Sequence, residues 1–178
     1  KKKEKKMVGG RLILLSLLVG FTSACTDETL CANEDCGSCG NACCRLNIFV
    51  TESTEDAVAL LNASILEGGS DGRYQASMTA EGTQGFADLR AYDKPVDFIG
   101  QAIHTTYAPY YYNDTIDFTV APKDGGSQIF AHSLSLIAGA YCDAGQNFFN
   151  IMSLIENISW SNGYSYQGDG SCPPPAKV

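Results

Sequence analysis

Eight cysteines, two histidines and a scatter of aspartates are the residues of this 178-residue chain that could do chemistry. Six of the cysteines crowd into one stretch, Cys25, Cys31, Cys36, Cys39, Cys43 and Cys44, with Cys142 and Cys172 far downstream. The spacing Cys31-x4-Cys36-x2-Cys39 reproduces the first three ligands of a plant-type iron–sulfur loop, and Cys142 is a distant candidate for the fourth. A zinc knuckle is a second use of the same thiols. Cys36-Gly37-Ser38-Cys39 also has the form of a redox pair, but no helix pattern opens behind it to lower a thiolate pKa. An even number of cysteines in an exported chain reads instead as a disulfide framework of up to four bridges. Adjacent Cys43 and Cys44 cannot readily bridge each other, so each is expected to hold a different segment.

The oxygen and nitrogen chemistry is thinner. His132 stands beside Ser133, with Asp143 further on, which invites a hydrolase reading. Neighbours on a strand point to opposite faces, so His132 cannot serve Ser133 as a base, and His104 would have to reach it from another strand. His132 alternates with Phe130, Leu134 and Leu136 and is expected to be a satisfied, partly buried histidine. Asp114, Asp117, Asp143 and Asn147 could gather as oxygen ligands for calcium. No loop carries the dense Asp-x-Asp-x-Asp spacing of a dedicated site, however. The plainer expectation is that Asp143 and Asn147 shape a turn and cap the last helix, with Gly145 supplying an unusual backbone angle. No cofactor is expected.

One aromatic stretch stands apart. Tyr107-Ala108-Pro109-Tyr110-Tyr111-Tyr112 places four tyrosines in six residues, and Tyr164 and Tyr166 follow in the tail. Such rings suit either cross-strand packing or a contact surface, because tyrosine joins a large rigid face to a hydroxyl.

The elements that would position these groups follow from periodicity. Leu46, Ile48 and Val50 alternate as a half-buried strand requires. Ser53-Thr54-Glu55-Asp56 is a capping box opening a helix whose stripe is Val58, Leu61 and Ile65, broadened by Leu60 and Leu66, and Gly68-Gly69 ends it. Strand-like segments follow at 73–79, 83–92, 96–107, 115–121 and 127–137, with Asp124-Gly125-Gly126 as a hairpin turn. Residues 145–159 return to helical period: Phe148, Ile151, Met152, Ile155 and Ile158 share a face opposite Asn150, Ser153 and Asn157. The fold class expected is α+β, an antiparallel meander sheet with two helices packed on one face, preceded by a disulfide-rich head.

The ends carry targeting signals. A basic start, an apolar run over Leu12–Phe21 and Thr22-Ser23-Ala24 read as a signal peptide over residues 1–24; the run is shorter than a membrane span. The alternative is an anchor retained over residues 12–24, and a lipoprotein with Cys25 lipidated is a third reading. Met7 is a natural start, so residues 1–6 read as upstream translation or a partial gene model. The head is then 25–45, the α+β domain 46–159, and 160–178 a loop-like tail pinned by Cys172. Removing residues 1–24 takes away six positive charges and one negative, moving the formal net charge from −8 to −13. So acidic a body repels phosphate backbones, and nucleic acid is not an expected partner. Three sequons, at Asn62, Asn113 and Asn157, suit N-linked glycans added along a eukaryotic secretory route.

Three segments together resemble a known family over about residues 46–159. Tyr112-Asn113-Asp114-Thr115-Ile116-Asp117-Phe118 resembles an F-x-D-D-x-E-F strand, His132-Ser133-Leu134-Ser135-Leu136 an R-S-x-S-R strand, and Asp143-Ala144-Gly145-Gln146-Asn147 a D-x-G-x-N segment ahead of a final helix. Upstream, Asn41-Ala42-Cys43-Cys44 stands where that family has a short Asn-Cys segment. The family is the domain of unknown function catalogued as number fourteen ninety-nine, found in bacteria, algae and plants. Its arginines are replaced here by His132 and Leu136, and basic residues after its Asn by Phe148 and Asn150. An anion site built on them would be absent. Since that family has no established activity, the resemblance implies a fold and not a function.

The whole points to a secreted, disulfide-stabilised, glycosylated and non-catalytic extracellular protein. Its expected use is as a structural or assembly module whose partners are copies of itself or other extracellular proteins, with no membrane contact after the leader is removed. The alternative is a binding domain for a small apolar or glycan ligand; a hydrolase or calcium-binding protein comes third.

Overall fold

The alternation read over residues 46–51 begins three residues earlier in the computed structural model, which describes residues 42–78, 82, 84–109, 111–137 and 145–168. The leader, Asp143, Tyr110 and the cysteines Cys25, Cys31, Cys36, Cys39, Cys142 and Cys172 all lie outside these residues. Strand β1 runs Cys43–Val50, so Cys43, Cys44 and Arg45 belong to the sheet and not to a head. Cys44 extends the buried file Leu46, Ile48 and Val50 by one more step of the pleat, where a small apolar side chain packs as well as an aliphatic one.

Helix α1 (Thr54–Leu66) opens on the expected cap: Ser53 Oγ accepts from the Asp56 amide at 3.1 Å and donates to the Asp56 carboxylate at 2.7 Å. Its core face is Ala57, Leu61 and Ile65, while Val58 is half-buried and Leu66 is exposed. Strands β2 (Tyr74–Ala76), β3 (Phe86–Asp88) and β4 (Phe98–Thr105) occupy parts of the segments read as strands, β5 (Asn113–Lys123) extends two residues beyond its segment at each end, and β6 (Gly126–Ser135) begins one residue early and ends two short. The Asp124-Gly125 turn between β5 and β6 has φ of 47° and 84°, the left-handed pair that a two-residue hairpin needs. Helix α2 (Gln146–Glu156) follows, and β7 (Tyr164–Gly168) returns to the sheet.

The seven strands make one antiparallel sheet in the order β2-β4-β5-β6-β1-β7, with β3 also paired to β4. Two expectations change here. Strands β3, β4, β5 and β6 form the meander, while β2 pairs with β4 and β1 inserts beyond β6, its alternating file giving it a partner on each side. The tail is not all loop either, since Tyr164–Gly168 pairs with Leu46–Val50. Both helices pack on the same face. Leu61 and Ile65 of α1 and Ile151, Leu154 and Ile155 of α2 share one core with Ile48, Ile116, Phe118, Val120 and Ile129. Burying each of these side chains contributes about 1.5–3 kcal/mol, which fixes the layer arrangement.

The hairpin after β5 is closed against the end of β1. Ser127 Oγ donates to the Glu52 carbonyl at 2.7 Å, and a Cβ on Gly126 would lie 2.9 Å from the Thr51 Cα and closer still to the Val50 carbonyl. Both obstacles are backbone, which cannot step aside. Gly126→Ala should therefore cost about 1–3 kcal/mol, read as a lower urea midpoint; an unchanged midpoint would show that the two segments are not in contact there.

Candidate functional site

The sheet's helix-covered face changes character toward one end. Its first rows are apolar, but the last carry His104 on β4, Asp114 on β5, and Ser133 and Ser135 on β6, all buried. Pairing places Asp114 between His104 and Ser135, and Ser133 between Ile116 and Cys44. The first turns of α2 lie over this end and supply amides. Asn150 Nδ2 donates to Asp114 Oδ2 at 2.8 Å and to Ser133 Oγ at 3.1 Å. Asn147 Oδ1 accepts from Ser133 Oγ at 2.7 Å, while its Nδ2 donates to Ser135 Oγ and to the Ala42 carbonyl, each at 3.0 Å. Gln146 Nε2 closes on Asn150 Oδ1 at 2.8 Å. A buried carboxylate is tolerable only with such donors, because desolvation of an unpaired one costs several kcal/mol.

Beside this cluster, the Tyr74 hydroxyl donates to the Asn150 carbonyl at 2.9 Å and its ring stacks on His104 with centroids 4.5 Å apart. Burial, helped by the nearby charges of Asp71 and Asp114, pushes the Tyr74 phenol well above the usual tyrosine range. His104 Nε2 lies 3.0 Å from Asp71 Oδ2.

The groups singled out for catalysis therefore have other duties. Ser133 donates to Asn147 and not to either histidine, and His104 is turned toward Asp71. His132 lies on the opposite face, buried more completely than expected, between Asp117 and Arg45 of the flanking strands. Asn147 does not cap α2: the residue at that position is Gly145 with φ of 86°, and Asn147 reaches the sheet instead. Asn150, read as part of the polar face, is fully buried. Its spacing of four from Leu154 carried the signal, since i and i+4 share a face.

The calcium candidates are separated. Asp114 faces α2, and Asp117, three residues on, faces the other side of the sheet, where it accepts from Gln101 Nε2 at 2.6 Å. Among the described residues no three His, Cys, Asp or Glu side chains cluster as metal ligands. Nor is any helix there long and apolar enough to cross a membrane.

Cys43 and Cys44 are buried and disulfide-bonded. Neighbouring side chains of a strand leave opposite faces, so the two serve different bridges. Of the sequons, Asn113 and Asn157 are exposed. Asn62 is not: its Oδ1 is buried against Gly85, and Ser64 Oγ of the same sequon donates inward to the Leu154 carbonyl at 3.3 Å.

The tyrosine stretch is the connection between β4 and β5. Its neck is tied by Thr106 N donating to the Tyr112 carbonyl at 2.8 Å and Tyr112 N to Thr106 Oγ1 at 2.9 Å. Tyr107 is 57% exposed, Tyr111 67% and Tyr112 42%, so these rings are on the surface and not in the core. The Arg73 guanidinium stacks 3.9 Å from the Tyr107 ring centroid, an arrangement that holds the ring in place.

No family model, curated protein or solved structure matches the chain.

Because Asn150 bridges the Asp114 carboxylate to Ser133, Asn150→Ala should cost roughly 2–4 kcal/mol, read from urea unfolding followed by circular dichroism. A loss below about 0.5 kcal/mol, the level of an ordinary surface change, would show that the cluster does not hold α2 to the sheet.

Proposed function

We propose that the protein is an exported, glycosylated, non-catalytic module that assembles with copies of itself through the tyrosine-bearing β4–β5 connection. One observation carries this: three large rings are presented to solvent on a short connection whose neck is hydrogen-bonded shut and whose first ring is braced by Arg73. Interfaces are enriched in tyrosine because a buried ring removes much area from water at low conformational cost. Asn113, at the edge of the patch, carries a glycan in this reading and limits which side associates.

The bridges and sequons support the exported part of the proposal. The resemblance to the uncharacterised family supports a shared fold with no activity attached. A second reading, a binder of a small apolar or glycan ligand, is favoured by an open groove of about 440 Å³ on the face away from the helices. Met78 and Ile99 line it, with Gln101 and Asp117 at its polar side.

Two measurements test the proposal. Glycosidase treatment of protein from a eukaryotic host should remove glycans from Asn113 and Asn157 and none from Asn62; an unchanged mass would remove the secretory part. Native mass of the untreated protein should exceed one chain. Tyr107→Ala with Tyr111→Ala should lower that mass while shifting the melting temperature by only about 2 °C, since exposed substitutions cost little. A monomer retaining a small bound molecule would favour the second reading instead.

A further inference from the structure

The sheet has two open edges, and they are built differently. On one side β2 and β3 are only three residues each and separate, and β3 ends on Asp88, whose carboxylate holds Arg90 at 2.6 Å. Short strands and edge charges are how proteins prevent sheets from adding to one another. Among the described residues the other edge has no such guard. Strand β7, Tyr164-Ser165-Tyr166-Gln167-Gly168, is five residues long, carries neither charge nor proline, and pairs only with β1 among the described residues.

Aromatic surface lies beside this unguarded edge. Tyr166 is 48% exposed, and its ring meets Phe148 of α2 edge-on at 6.0 Å. Phe149, 46% exposed, meets Phe148 in the same way at 6.1 Å. Exposed aromatics flanking an open strand edge mark a contact site, because pairing at the edge would bury them too.

We propose that β7 is the seam of a two-fold dimer, in which it pairs antiparallel with β7 of a second copy and joins the two sheets into one. The segment is self-complementary about Tyr166. With that residue on the axis, Ser165 faces Gln167 of the partner, two side chains that can hydrogen-bond, and Tyr164 faces the partner's Gly168, where a ring covers the bare backbone. A second copy is the occupant that fits an uncharged strand in a chain of net charge −8, since pairing these five residues with themselves opposes no like charges within the seam. A two-fold axis also brings Phe149 and Tyr166 of each copy to the same seam, as an isologous interface requires. The inference rests on self-association as proposed above but assigns it to a separate surface.

The test compares full-chain protein with two double variants by sedimentation velocity: Phe149→Ser with Tyr166→Thr at the edge, and Tyr107→Ala with Tyr111→Ala at the connection. The expected result is that the edge variant loses at least half of the wild-type oligomer mass, beyond any loss in the connection variant. Amide hydrogen exchange needs no substitution. In the wild type both sets of alternate β7 amides should be protected, because both of its edges are bonded. Fast exchange at every second β7 amide, with the edge variant keeping wild-type mass, would overturn the seam and leave the tyrosine connection standing. A wild-type monomer at all concentrations would overturn both.

Discussion

The Asp114 carboxylate is the constraint around which this domain closes. It is buried on a central strand, where an unpaired charge would cost more than any single apolar contact returns. Asn150 meets that demand only if the first two turns of α2 lie flat on the end of the sheet, in one rotation about the helix axis. Asn147, from the same turns, satisfies Ser133 and Ser135 and reaches the backbone at Ala42 as β1 begins. Apolar packing by Ile151, Leu154 and Ile155 supplies most of the free energy, yet it tolerates small slides and rotations. The amides do not, since each Nδ2 must meet two acceptors at once, Asn150 those of Asp114 and Ser133 and Asn147 those of Ser135 and Ala42. Net hydrogen-bond contributions near about 1 kcal/mol each are modest, but the cost of leaving any member unpaired is not. The cluster sets where α2 sits, and α2 in turn sets where the chain re-enters the sheet as β7.

Sequence periodicity read the repeating parts of the fold well. The files Leu46-Ile48-Val50 and Ile116-Phe118-Val120 were recoverable because burial on one face writes a period of two. The Ser53 cap and the Asp124-Gly125 turn were recoverable because each needs a particular residue type at a particular place. What periodicity misread was the polar interior. Asn150 looks like a solvent-facing residue until its acceptor is known, and that acceptor, Asp114, lies thirty-six residues earlier on another strand. A hydropathy pattern carries no information about partners. Strand β7 failed for a related reason. Tyr-Ser-Tyr-Gln-Gly has no core file of its own, and it becomes a strand because β1 offers it an open edge.

The candidate site was readable in part. Tyrosine clustering was visible, but whether the rings faced inward depended on the connection between β4 and β5, which a loop composition does not specify. Asp114 and Asp117 were grouped as possible ligands by closeness in sequence, and an odd separation on one strand sends them to opposite faces. Cys43 and Cys44 obey the same rule: adjacent on β1, their side chains leave opposite faces of the sheet.

Geometry constrains how the two proposed surfaces would act together. The β4–β5 connection lies at the end of the sheet where β1 starts, while β7 pairs with the last residues of β1. Between β5 and β7 lie three strand spacings, about 14 Å. Contacts so placed do not compete for the same partner. A two-fold contact at the seam alone closes on itself and stops at a dimer. In this reading a second, independent two-fold contact at the tyrosine connection leaves each dimer with two free patches, one per copy, through which dimers join into a closed assembly or an open array according to the angle between the two axes. A glycan at Asn113, beside one patch and remote from the other, would act on the extending contact only. Under the two proposals, the dimer and any larger assembly would be controlled by different surfaces of the same sheet.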